Sequence, residues 1–305
     1  MQEKTHLAVV DLGSNSFRLE IGEVTQGRFC RTEYLKETVR QGGGLDAHGY
    51  LTPEAMQRGW DCLARFGQRL SGFSSASVRA VATQTLREAV NREAFLSRGC
   101  ALLGFPIQVI SGLEEARLIY QGVAKDLPRS SERRLVIDIG GRSTELIVGL
   151  GQQPVHMHSY AIGSVTWSMR YFSQGQFTAE AFALAENAAK AVLQEAVPEY
   201  GAPQWDLAYG SAGTINAVVD VLSAAGWPAG HVSQDGLDWL LQTLLNAQSV
   251  DRLEMAGMRE DRKSVIGGGV SVLRALLDLL GIQQLDQASG GLRHGVLLEL
   301  MAAAV

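Results

Sequence analysis

The apolar positions of the chain fall into short dense runs separated by longer stretches of helical spacing. Residues 7–12, 17–24 and 28–39 read as three successive strands in a meander. A glycine loop follows at 41–49. Thr52-Pro53-Glu54 then opens a helix to about residue 70, with Thr52 as N-cap and Pro53 in the first turn. Residues 77–82 form a buried strand leading into Thr83-Gln84-Thr85-Leu86-Arg87. Asn91 is expected to cap a helix through residue 103, and 107–110 is a short strand. A helix from Ser111 to about residue 123 comes next. Its Ser111 and Glu114 have the spacing of a capping box, which leaves the neighbouring Glu115 without so specific a structural role. The polar stretch 126–134 is the expected hinge between two halves. Beyond it lie a strand at 155–162, a long alanine-rich helix at 178–197 and a strand at 207–210. That strand runs through Gly210-Ser211-Ala212-Gly213-Thr214 into a helix to residue 222. The remainder reads as mostly helical, at 237–247, 250–255, 263–280 and 292–302. Strands alternating with helices predict an α/β chain with much parallel pairing.

One stretch stands out from this pattern. Residues 136–150, VIDIGGRSTELIVGL, read as a buried strand ending in Asp138, a tight turn and a second strand carrying Glu145. Gly140 and Gly141 are expected to supply positive-φ freedom where a phosphate approaches the backbone, with Ser143 and Thr144 adding hydroxyl donors. The chain contains this pattern twice. In residues 9–22, VVDLGSNSFRLEIG, Asp11 falls on Asp138, Gly13 on Gly140, Ser16 on Ser143, Leu19 on Leu146 and Gly22 on Gly149. The informative mismatch is Arg18 opposite Glu145. One copy can then contact anionic oxygen directly while the other holds a hard divalent cation. The repetition predicts two related domains facing each other across a cleft.

Composition narrows the function further. At 305 residues the chain has room for two domains, and 46% hydrophobic with 19% charged residues marks a globular protein. No apolar run reaches membrane-spanning length and the start has no signal-peptide core, so a cytoplasmic protein without membrane partners is expected. Cys30, Cys62 and Cys100 are isolated, which fits a reducing compartment and neither a disulfide framework nor a zinc knuckle. A net charge of −5 argues against nucleic acid as a non-specific partner. Arginine outnumbers lysine 22 to 5, compatible with a polyanionic ligand. His156 and His158 share a strand face with no third ligand nearby, and no GxxxxGK[ST] loop is present.

DLGSNSFRL, VATQTLREA, ISGLEEARLIYQGV, DIGGRSTELIVG, YGSAGTINA and SGGLRHGVLLEL resemble, in order and over nearly the whole chain, the motifs of the exopolyphosphatase/guanosine pentaphosphate phosphatase family. The resemblance implies two actin-like (ribonuclease H-like) domains, divided at 1–125 and 126–305, with the last helix able to pack back on the first. It implies Glu115 as catalytic base. A helix N-terminus, which favours an ionised carboxylate, is a suitable place for one. Magnesium, or manganese, falls to Asp138 and Glu145, with Asp11 as a third candidate. Phosphate oxygens fall to Ser14, Asn15, Ser16, Arg18, Arg87, Gly140, Gly141, Arg142, Ser143 and Gly213. Arg142 is a departure, since the family has a third glycine there. Arg259, Arg262 and Lys263 form a candidate track for a long polyanion. The activity implied is hydrolysis of the terminal phosphate of inorganic polyphosphate by a homodimeric enzyme. The alternative substrate is guanosine pentaphosphate, and the remaining alternatives are a kinase or ATPase of the same superfamily and a nucleotide sensor.

Overall fold

In β1 (Thr5–Leu12) every residue from Leu7 onward is buried, so both faces of the strand are covered. The computed structural model describes residues 5–128 and 130–303 and divides them into two compact units. β1 pairs antiparallel with β2 (Phe17–Thr25), and β2 with β3 (Arg28–Glu37). Then come α1 (Pro53–Arg69), β4 (Val78–Ala82), α2 (Gln84–Glu88), α3 (Arg92–Leu103), β5 (Ile107–Val109) and α4 (Gly112–Ala124). β4 lies parallel to β1 and β5 parallel to β4, which gives the sheet order β3-β2-β1-β4-β5. Alternation sorts the faces of β1. Ala8, Val10 and Leu12 join the core under α1 and α3, whereas Leu7 and Val9 face Ile110 and Leu118.

The second unit repeats the plan. β6 (Arg133–Ile139), β7 (Thr144–Leu150) and β8 (Gln153–Tyr160) form an antiparallel meander. They are followed by α5 (Ser164–Tyr171), α6 (Ala179–Leu193), the short α7 (Val197–Tyr200), β9 (Leu207–Ser211) and α8 (Ala212–Ala224). β10 (His231–Ser233), α9 (Gln234–Ala247), α10 (Glu260–Leu280) and β11 (Gln284–Gln287) complete it. The sheet runs β8-β7-β6-β9-β11-β10, with β9 parallel to β6 and β11 parallel to β9. Meander strands three, two and one, followed by two parallel strands, therefore occur in the same order in both units. This is the two-domain actin-like plan.

The first unit comprises residues 1–122 and 292–305, and the second residues 123–291. The last helix, α11 (Leu292–Ala303), thus belongs with the first unit, where Val296, Leu297 and Leu300 pack on Leu7 and Val9. The polar stretch 126–134 falls within the second. Local signals explain most boundaries. Thr52 Oγ1 accepts from the Ala55 N–H at 3.3 Å, and Thr178 and Ser233 cap their helices in the same way. Asn91 does not cap α3. Its amide instead holds Leu51 through the backbone N–H and C=O at 2.9 and 3.0 Å. The expected helix at 178–197 ends at Leu193, where a 3₁₀ turn leads to α7 with Pro198 at its start. Residues 250–252 make only a 3₁₀ turn. Among the described residues, no helix is long and apolar enough to cross a membrane.

Candidate active site

In the first unit the chemistry gathers at the carboxyl ends of the parallel strands, the usual place for a site in such sheets. Asp11, next to last in β1, lies opposite Arg18 on β2. Residues directly opposite across a strand pair share a face. Arg18 Nη1 accordingly donates to the Asp11 carboxylate at 3.0 Å. Arg293, from the start of α11, approaches the same carboxylate oxygen at 3.5 Å and donates through Nε to Glu20 at 3.3 Å. Its guanidinium also lies over the Tyr34 ring, 5.4 Å from the centroid. The Asp11 carboxylate is therefore set between two cations.

The turn after β1 is tied down from two sides. Thr85 on α2 donates to the Ser14 hydroxyl at 2.8 Å. The N–H groups of Arg40 and Gly42 bond the carbonyls of Asn15 and Ser14 at 2.9 and 2.7 Å. Among the described residues, Asn15 Nδ2 and Ser16 Oγ are buried and have no hydrogen-bond partner. A buried polar group left so costs about 1–3 kcal/mol, and functional sites are where such a cost is tolerated.

α2 also carries Arg87. Its Nη1 donates to Glu115 Oε2 at 2.7 Å and to the Ile110 carbonyl at 3.0 Å. Glu115 is 6% exposed in the first turn of α4. Glu114 faces elsewhere. Its backbone N–H is capped by Ser111 Oγ at 3.1 Å, and its carboxylate takes both arms of Arg117 at 2.8 and 2.9 Å. The network continues through Glu299 on α11 to Arg79. Partial burial pushes the Glu299 carboxyl up, but hydrogen bonds from Arg79 and Arg117 outweigh it and leave the group below the usual carboxylate range.

In the second unit, Asp138 on β6 lies opposite Glu145 on β7, at the register position that Asp11 and Arg18 occupy in the first. Both carboxylates are buried, and Ser159 on β8 donates to Glu145 at 2.7 Å. The turn between them is closed by a 2.9 Å bond from Gly140 N to the Ser143 carbonyl. It is pinned by α5, whose Ser164 and Val165 N–H groups bond the Gly140 and Gly141 carbonyls at 3.0 and 2.7 Å. Neither Gly140 nor Gly141 has a positive φ, contrary to the expectation from sequence. Glycine at 140 relieves crowding instead: a Cβ there would lie 3.1 Å from the Ser143 carbonyl oxygen, a tight contact. Gly13 shows the same relation to Ser16 at the same 3.1 Å, so the two turns match in backbone detail. Arg142 also lacks a positive φ, and the turn accepts a side chain there without backbone strain.

The third glycine turn has a different constraint. Ala212, at the start of α8, takes a left-handed φ of 69°, costly for a residue with a Cβ. Arg262 lies across Gly213, and a Cβ at Gly213 would fall 2.1 Å from the guanidinium. Arg262 is buried, while Arg259 and Lys263 pair with Asp261 and Glu260 at 3.0 and 2.6 Å. The expected basic track is thus largely neutralised by its own acids.

No group of three or more His, Cys, Asp or Glu side chains that could hold a metal occurs among the described residues. The Asp138–Glu145 pair, two hard oxygen donors on one face, matches magnesium, which takes one or two carboxylates and fills its shell with water and phosphate oxygens. His156 and His158 are exposed on the edge strand β8. Burial pushes the Cys62 thiol up, away from a nucleophile's range. Thr85, Glu20, Ser159 and Arg293 take part in these arrangements without being singled out from sequence. Thr85 and Arg293 sit inside the quoted motifs VATQTLREA and SGGLRHGVLLEL, but those motifs do not say which side chains meet.

The model of the Ppx/GppA phosphatase family matches residues 21–304. Among solved structures, an exopolyphosphatase from Cytophaga hutchinsonii is 24% identical, with 97% of this chain and 98% of that one covered and a TM-score of 0.85. The Aquifex aeolicus PPX-GPPA enzyme is 25% identical, with 97% and 100% covered and a TM-score of 0.77. An exopolyphosphatase-like protein gives 24% identity, 98% coverage of both chains and a TM-score of 0.86.

Proposed function

Because the chain belongs to the Ppx/GppA phosphatase family, we propose that it is an exopolyphosphatase, removing the terminal phosphate of inorganic polyphosphate. The observation that carries this reading is the ion pair between the part-buried Arg87 and the buried Glu115, 2.7 Å apart at the carboxyl ends of the parallel strands. A hydrolase of this kind needs a carboxylate to take a proton from water, beside a cation that draws in the phosphate under attack.

In this reading Glu115 accepts a proton from water as the water oxygen attacks the terminal phosphorus. The bridging P–O bond breaks, its electrons pass to the shortened chain, and orthophosphate leaves. Arg87 and Arg18 hold the phosphate oxygens, together with Ser14 and the unpartnered donors of Asn15 and Ser16. In the second unit, the amides and hydroxyl of residues 140–143 and the Arg142 guanidinium are the groups proposed to bind phosphate. Fixed donors in a site withdrawn from water stabilise charge that develops on the transferred group. Asp138 and Glu145 would hold magnesium, which neutralises charge on phosphate oxygens when bound. Asp11, facing two guanidinium groups, arranges Arg18 and Arg293 in this reading and is not a metal ligand.

Inorganic polyphosphate is proposed ahead of guanosine pentaphosphate because two of the similar solved structures are named as an exopolyphosphatase and an exopolyphosphatase-like protein. The test is orthophosphate release by the purified protein from long-chain polyphosphate and, separately, from guanosine pentaphosphate. Higher kcat/KM on polyphosphate is expected. A preference for the guanosine nucleotide would replace the substrate, and transfer to an acceptor instead of water would replace the reaction.

A further inference from the structure

Arg87 is held by more than its acidic partner. The guanidinium offers five N–H groups in one plane, and four are engaged. Two reach the Ile110 carbonyl and Glu115 through Nη1. The other two, from Nε and Nη2, converge on Gln84 Oε1 at 2.9 and 2.5 Å. The Gln84 amide is itself oriented, because its nitrogen donates to Glu88 Oε1 at 2.6 Å, which turns its oxygen towards Arg87. The chain Glu88–Gln84–Arg87–Glu115 therefore has a fixed donor direction throughout.

We propose that Gln84 is a positioning residue for the hydrolytic reaction, aiming the Arg87 guanidinium at Glu115 with an uncharged acceptor. This rests on the reading that Glu115 takes the proton and Arg87 holds phosphate. The lack of charge is central. A carboxylate at position 84 would orient Arg87 equally well, but it would share the guanidinium's charge and weaken its hold on an anionic substrate. A side chain without an acceptor would leave the charge intact and lose the aim.

Two variants separate these effects. Gln84→Leu should lower kcat on the order of tenfold with KM within about twofold, because misaimed groups cost rate and not ground-state charge. The double variant Gln84→Glu/Glu88→Gln keeps a donor–acceptor pair between the two positions. It should hold kcat within about threefold and raise KM for polyphosphate on the order of tenfold. Opposite splits in the two variants are the expected result. Wild-type kcat in Gln84→Leu, or the same parameter moving in both variants in step with thermal stability, would overturn the proposal. If Gln84→Leu does not fold, the KM of the double variant decides alone, and an unchanged value overturns it. Glu115→Gln is the control: full activity there removes the underlying reading, whereas an inactive Glu115→Gln beside an unaffected Gln84→Leu removes only the role of Gln84.

Discussion

The two matched turns differ by one reversal of charge, Arg18 against Glu145, at equivalent positions opposite an aspartate. In the first unit an acid faces a base and the pair is internally neutral. In the second, two buried acids face each other, an arrangement that favours a cation. Alanine at Asp138 or Glu145 is therefore expected to raise, on the order of tenfold or more, the magnesium concentration giving half-maximal activity. Arg18→Ala should instead raise KM for polyphosphate with an unchanged magnesium requirement. Magnesium titrations of the three variants check this, and one common response would dissolve the distinction. These pairs were legible in the sequence because strand alternation and a short turn fix who faces whom. Arg293 was not, because its meeting with Asp11 depends on where α11 packs, and no local pattern encodes that. Gly140 was found for the wrong reason: sequence suggests an unusual dihedral, and the structure shows a tight approach of the Ser143 carbonyl.

Among the elements, α4 carries the sharpest test, since its adjacent acids point to different partners. Glu115→Gln should lose about 10²–10⁴ in kcat, the usual worth of a general base, with the fold intact. Glu114→Gln should leave chemistry nearly unchanged and cost roughly 1 kcal/mol of stability, as expected for a half-exposed network with Arg117, Arg79 and Glu299. Parallel kinetics and thermal melts check the pair, and a dead Glu114→Gln beside an active Glu115→Gln would reverse the assignment. Elements with caps and long periodicity were readable, α1 and α10 among them. The three- and four-residue strands β10 and β11 were not, because their few residues are mostly polar, whereas the equally short β5 lies in the largely apolar run 107–110. The eight-residue α5, which fastens the second turn, was missed too.

On the scale of the whole molecule, the first unit is discontinuous in sequence and the second is not. Val296, Leu297 and Leu300 cover Leu7, Val9 and Leu118, and each buried side chain of this kind contributes about 1.5–3 kcal/mol. Their sum approaches the total stability of an ordinary domain. A fragment of residues 123–291 should therefore fold by itself, whereas residues 1–122 should not fold unless a peptide of residues 292–303 is supplied. Circular dichroism melts of the fragments, with and without the peptide, check this, and a cooperative melt of 1–122 alone would contradict it. The duplication was legible from its two turns, whereas the route of the last helix was carried by the family resemblance and not by any local pattern. That route sets a timetable for biosynthesis. Domains commonly fold as they leave the ribosome, N-terminal part first. Here the part made first must wait for residues 292–303, and Arg293 reaches Asp11 only once they have been made. Until then the nascent chain carries a second unit whose residues are all made and a first unit still lacking its last helix, so the half begun first is the half completed last.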